Sequence, residues 1–199
     1  MLTFNHMKRL IFDSLFAGLM IGFGCIVYVI VPDKVIGSFL FGFGLLTVVI
    51  QQKKLFTGMV GYADSWLQVR DLAVAILGNL FAIGLMCWAF ARFSGISLDT
   101  SALTAAKYQE TWYAALLRAF GCGAMMFLAV DGWRKTGKAI AVLMPVMIFI
   151  LCGFDHCIAN YGYMAMNGQF FHPNLLLWIA GNAIGSQLFS RIGGMLDKR

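Results

Sequence analysis

The stretch Gly153-Phe154-Asp155-His156-Cys157-Ile158-Ala159-Asn160 sets an acid and a histidine inside an apolar run that extends from about 139 to 161. About 20 apolar residues suffice for a helix to cross a bilayer, so the run is long enough to span. Ionisable groups inside a span are costly and face a bundle interior or an aqueous path, not lipid. A glycine followed by polar residues also interrupts the helix. Such a break is tolerated at membrane depth only where the freed backbone groups meet protein or a cavity. The stretch therefore predicts a broken membrane helix built around a functional interior.

Working outward, uncharged runs fall at about 14 to 31, 35 to 50, 72 to 91, 112 to 130, 139 to 161 and 174 to 192, each able to span with some tilt. A second interruption, Leu55-Phe56-Thr57-Gly58, follows the second run in the position matching the break in the fifth. The third and sixth runs share a signature, Gly78-Asn79-Leu80-Phe81-Ala82-Ile83-Gly84 against Gly181-Asn182-Ala183-Ile184-Gly185. An odd number of helices per repeat inserts the second copy upside down, so the pattern predicts a three-plus-three inverted repeat with a substrate path at the midplane. Chance recurrence of Gly-Asn pairs is the competing explanation in a chain with 22 glycines.

Composition agrees with a membrane chain. Of 199 residues 60% are hydrophobic and 12% charged, with a mean hydropathy of +0.79. That excludes a water-soluble globule, and residues 1–199 read as a single transmembrane transport domain. The net charge of +6 reflects basic residues on cytoplasmic loops and implies no nucleic-acid partner. One side collects Lys8, Arg9, Lys53, Lys54, Arg70, Arg134, Lys135, Lys138, Arg191, Lys198 and Arg199; the other has Lys34, Arg92 and Lys107, with Arg118 near a helix end. Both termini are expected in the cytoplasm. No cleavable signal peptide is evident. Cys25, Cys87, Cys122, Cys152 and Cys157 lie in or beside apolar runs without ligand spacing, so they read as small packing residues.

Among candidate functional residues, His156 can take or give a proton near neutral pH, which suits passage of a weak acid. It can equally be a hydrogen-bonded histidine that holds the break together. Thr57 both donates and accepts and is a candidate to orient His156, or else it makes a local turn bond. Lys107 either concentrates anions at a vestibule or snorkels at the interface. Phe41, Leu45, Phe56 and Phe149 are packing residues or, if they face a pore, hydrophobic constrictions. His172 reads as a solvated loop residue and His6 as tail. No Ser-His-Asp order with an elbow, phosphate-binding loop or metal-ligand spacing is present, so neither an enzyme nor a cofactor or metal is expected.

These motifs resemble the formate/nitrite transporter family of pentameric anion channels and transporters. The stretch at 153–160 is similar to that family's Gly-Phe-Glu-His-Ser-(Val/Ile)-Ala-Asn, and Leu55-Phe56-Thr57-Gly58 looks like its interrupting loop. The resemblance, running from about 12 to 192, implies an all-α, aquaporin-like protomer of six spans with broken second and fifth helices. It also implies a homopentamer in a bacterial inner membrane, in contact with lipid. The expected cargo is a small inorganic or monocarboxylate anion such as formate, nitrite or hydrosulfide, with proton-linked passage.

By the same likeness, Phe41, Leu45, Phe56 and Phe149 form constrictions, Thr57 and His156 the polar centre, and Lys107 the attracting cation. Asp155, Asn160, Asn79 and Asn182 brace the breaks. The chain departs from the family at Lys54, Met59, Gly123 and Asp155. Gly123, where an asparagine is usual, is expected to deprive Lys107 of a polar partner and to widen the vestibule. The termini are shorter than usual, with almost no amphipathic N-terminal helix. The alternative function is a non-conducting structural or regulatory protein of the same fold.

Overall fold

The computed structural model describes residues 2–196, and side-chain surroundings within 4–194. All regular structure among the described residues is helical: α1 (Leu2–Ile30), α2 (Lys34–Ile50), α3 (Phe56–Met59, continued by a 3₁₀ turn over Val60–Tyr62), α4 (Trp66–Phe93), α5 (Ser101–Tyr108), α6 (Trp112–Thr136), α7 (Ile140–Leu151), α8 (Cys157–Met166) and α9 (Asn174–Leu196). Three stretches, Phe4–Ile30, Trp66–Phe93 and Trp112–Thr136, are long and apolar enough to cross a membrane unaided. At 17 and 12 residues, α2 and α7 are too short to cross. Each hands its path to a second short helix beyond a break.

The same arrangement occurs twice. In the first half α1 lies against α4 and α2 breaks into α3; in the second α6 lies against α9 and α7 breaks into α8. The halves meet through α2 and α7 and through α4 and α8. The first turns of α1 meet the start of α4 and the end of α2, and the later turns of α9 and the end of α6 meet the 3₁₀ turn beside them; this side is here called the terminal face and the opposite one the distal face. Lys198 and Arg199, counted above among the terminal-side cations, lie outside the described residues.

Element boundaries differ from the sequence reading in a consistent way. The first helix begins at Leu2 and not near 14, the third span at Trp66 and not 72, and the fourth runs on to Thr136. Charged residues end the apolar run without ending the helix, because Lys, Arg and Asp are acceptable helix residues once they reach water. α1 is one continuous helix that projects beyond its apolar run, and His6 Nε2 bonds Asp71 on α4 at 2.8 Å. A short helix, α5, stands between the third and fourth spans, and Asp99 accepts from the Ser101 N–H at its start at 2.9 Å.

The breaks depend on two buried asparagines. Asn79 on α4 accepts from the Phe56 N–H at 2.8 Å and donates to the carbonyls of Ser14 at 2.8 Å and Lys54 at 2.9 Å. Asn182 on α9 accepts from the Cys157 N–H at 2.9 Å and donates to the carbonyls of Ala119 and Asp155, both at 2.7 Å. Each side chain thus satisfies both edges of one break and ties them to a neighbouring long helix, as a non-aqueous setting demands.

Close helix contact supports this bracing. A Cβ on Gly123 would collide with the Asn182 carbonyl, and one on Gly185 with the Phe120 carbonyl. The expectation that Gly123 widens a vestibule is corrected on this ground: its missing side chain is the space that lets α6 and α9 touch. Gly123→Ala and Gly185→Ala should each destabilise the purified protein by about 1–3 kcal/mol or more. Gly194→Ala, with nothing within 4 Å, should leave the thermal midpoint unlowered, since alanine favours the helix over glycine. Asn182→Ala strands two buried backbone groups at the break, the Cys157 N–H and the Asp155 carbonyl, each costing about 1–3 kcal/mol. It should lower the midpoint more than removal of any single exposed hydrogen bond such as that of Ser94.

Candidate functional site

The two breaks place Thr57, in α3, and His156, at the head of α8, against each other in the interior. Thr57 Oγ1 and His156 Nε2 are 3.0 Å apart, and the residues are 1% and 2% exposed. The ring's other nitrogen, Nδ1, accepts from the Ala159 N–H at 3.1 Å and caps α8. A backbone N–H can only donate, so Nδ1 carries no proton in this arrangement. The ring is then neutral with its proton on Nε2, and Nε2–H donates to Thr57. The threonine hydroxyl proton is left for another acceptor.

Aromatic rings wall this couple. Phe149 stacks over His156 with centroids 5.6 Å apart and planes at 21°, and Phe41 meets Phe149 edge-on at 6.0 Å. Cavities open on either side. A distal one of about 240 Å³ is lined by Phe41, Lys107, Phe149, Gly153, His156 and Asn160, among others. A larger one, about 540 Å³, opens at the terminal face, where Leu45, Lys54, Leu55, Met59, Val130 and Arg134 contribute to its wall. Phe56 is buried and belongs to neither lining; Leu55 and Met59 hold the wall beside it.

Lys107 does have polar partners, contrary to the expectation drawn from Gly123. Its ammonium lies 2.5 Å from Asp155 Oδ1, 3.0 Å from the Gly153 carbonyl and 3.5 Å from Glu110 Oε1. Asn160 donates to Asp155 Oδ1 at 2.7 Å, and Arg118 Nη1 meets Glu110 Oε1 at 2.6 Å. Sequence reading passed over Glu110, although its three-residue spacing from Lys107 was a usable signal. Burial pushes the Glu110 carboxyl above its ordinary range; nearby Asp155 adds to this, while Lys107 and Arg118 oppose it.

The terminal mouth is also basic. Lys53 pairs with Asp13 at 2.8 Å, and the Arg134 guanidinium lies 3.7 Å from the centre of the Tyr62 ring. Away from the site, His172 stacks on Tyr108 at 4.1 Å and accepts from the Asn174 N–H at 3.2 Å, so it is more engaged than a free loop residue. Cys25, Cys87, Cys122 and Cys157 are buried free thiols, whereas Cys152 is exposed. Among the described residues no group of three or more His, Cys, Asp or Glu side chains is arranged to hold a metal.

Comparison with known proteins places this architecture. The chain is 31% identical to the formate channel FocA of Haemophilus influenzae, in a match that covers 64% of this chain and 51% of that one. It is 27% identical to a probable formate transporter of Methanothermobacter thermautotrophicus, over 78% of this chain and 72% of that one. The chain thus spans about half the length of the Haemophilus channel. Its fold matches a solved pentameric formate channel with formate bound, at a TM-score of 0.82, 22% identity and 98% coverage of both chains. A solved FNT family ion channel matches at 0.80, with 20% identity and coverage of 98% and 90%. These relatives are channels and transporters, not enzymes, and with the apolar helices they mark a multi-pass membrane protein. The model of the formate/nitrite transporter family matches residues 3–195, nearly the whole chain, and the protein belongs to that family.

Proposed function

We propose that the chain forms a channel for small monovalent weak-acid anions, with formate first and nitrite and hydrosulfide in the same chemical class, and that passage is linked to protons. The observation that carries this reading is the buried Thr57–His156 couple, 3.0 Å apart, between aromatic walls and two cavities. A bare anion in such an apolar slit would lose most of its hydration, at a cost of at least several kcal/mol. Desolvation favours the neutral acid, so the cargo picks up a proton as its water falls away and crosses uncharged.

In this scheme Phe41, Leu45, Phe56 and Phe149 form the constrictions and Lys107 draws the anion. Asp155, Asn160, Asn79 and Asn182 hold the broken helices. The neutral ring of His156 presents Nε2–H as a hydrogen-bond donor. Giving that proton away outright would leave an imidazolate, so the ring acts by orienting the acid and by relaying protons through Nδ1 once its cap to Ala159 opens. The functional unit is a homopentamer in a bacterial inner membrane with both termini in the cytoplasm. The FocA likeness and the fold shared with a pentameric formate channel support this reading.

The test is anion flux into proteoliposomes holding purified protein, with formate, nitrite, hydrosulfide, lactate and acetate compared at several pH values. Flux of the small anions should rise as pH falls. Thr57→Val removes the hydroxyl at the centre and should slow formate roughly 10-fold or more, the rate equivalent of a lost buried hydrogen bond. His156→Phe should alter the pH dependence as well as the rate. No flux from a folded oligomer would overturn the reading and favour the non-conducting alternative.

A further inference from the structure

Glu110 is the sole glutamate of the chain, and its neighbourhood contains an unmet demand. Its side chain is 6% exposed and that of Asp155 is 0% exposed. Both carboxylates contact Lys107, and every donor in reach is taken by one oxygen of each: Lys107 and Asn160 meet Asp155 Oδ1, while Lys107 and Arg118 meet Glu110 Oε1. The other oxygens, Asp155 Oδ2 and Glu110 Oε2, are buried without a hydrogen-bond partner. Two orphaned acceptors on adjacent carboxyl groups are costly as they stand. A proton on either carboxyl would turn an acceptor without a partner into a donor.

We propose that Glu110 and Asp155 bind one proton between them at the distal mouth, as a carboxyl–carboxylate pair around Lys107. Like-charged carboxylates held this close share a proton in preference to ionising together. Glu110 and Asp155 both meet the one Lys107 ammonium, at 3.5 and 2.5 Å, and burial raises the affinity of Glu110 for a proton further. The other groups facing the pair are Lys107 from α5, Arg118 and Cys122 from α6 and Asn160 from α8. Tyr28 of α1 and Tyr163 of α8 line the same cavity. Asn182 of α9 reaches Asp155 at its backbone carbonyl and not at its carboxyl.

Counting Lys107, Arg118, Glu110 and Asp155, the cluster carries one positive charge with the proton bound and none when it leaves. As pH rises through the Glu110 titration, the attraction for anions at this mouth is lost. The proton site stands on its own geometry; its effect on anion uptake rests on the transport reading above.

Because the chain has one glutamate, protein labelled with carboxyl-¹³C glutamate gives a single side-chain carboxyl signal whose titration by NMR needs no assignment. In wild-type protein Glu110 should titrate well above the ordinary carboxylate range. In Asp155→Asn, where an amide donor replaces the partner, the midpoint should fall. Titration of the wild type in the ordinary range, or a raised midpoint unchanged in Asp155→Asn, would overturn the proposal. Neither result depends on whether the protein conducts. In proteoliposomes the wild-type KM for formate should increase several-fold as pH passes the Glu110 midpoint. Glu110→Gln, a permanent mimic of the neutral acid, should lose that component while the contribution from formate's own ionisation stays. A wild-type KM profile retained in Glu110→Gln would count against the proposal even if the NMR midpoint is raised.

Discussion

Two side-chain amides carry the constraint on which the rest of this structure depends. A helix that stops inside a bilayer exposes backbone N–H and C=O groups that no lipid can satisfy. Asn79 and Asn182 each supply one acceptor and two donor bonds to a break and an adjacent long helix. Their partners correspond across the halves: Phe56 N–H with Cys157 N–H, the Lys54 carbonyl with that of Asp155, and the Ser14 carbonyl with that of Ala119. One physical solution has been used twice. With the breaks held, α3 and α8 can begin at the middle of the protein and aim Thr57 and His156 at each other.

The repeat is symmetric in its scaffold and asymmetric in its chemistry. The residue before the braced N–H is Leu55 in the first half and His156 in the second, so only one break brings a titratable ring to the interior. That ring has one nitrogen committed to capping α8 and the other to Thr57. Charge is accordingly kept away from the centre and gathered at the mouths, where Lys107, Arg118, Glu110 and Asp155 form one network and Lys53 and Asp13 another. An apolar, uncharged centre between charged mouths is the feature on which the proposed passage of neutralised acids rests.

Much of the fold was legible because a bilayer imposes strong rules on sequence. Six apolar runs, two interruptions and the shared Gly-Asn signature point to broken helices in an inverted repeat without any knowledge of contacts. The ends of helices were not legible, since α1, α4 and α6 continue past the apolar runs into residues that helices and water both accept. Gly123 was misjudged for a related reason. A glycine's meaning depends on what lies opposite its hydrogen atom, which here is the backbone of α9.

The sequence by itself determined the solvent, the number of crossings, the two break points and the residue types available there, because hydropathy and helix-breaking residues act locally along the chain. Only the tertiary structure decided which atoms those residues use. Thr57 and His156 are separated by 99 positions, and no spacing rule states that they meet or which imidazole nitrogen bears the proton. The pairing of Lys107 with Asp155 across the distal mouth, and the two oxygens left without donors, likewise follow from how α5, α6 and α8 converge. A protein interior sets distances and leaves some atoms unpartnered, and neither property can be read from the order of residues alone.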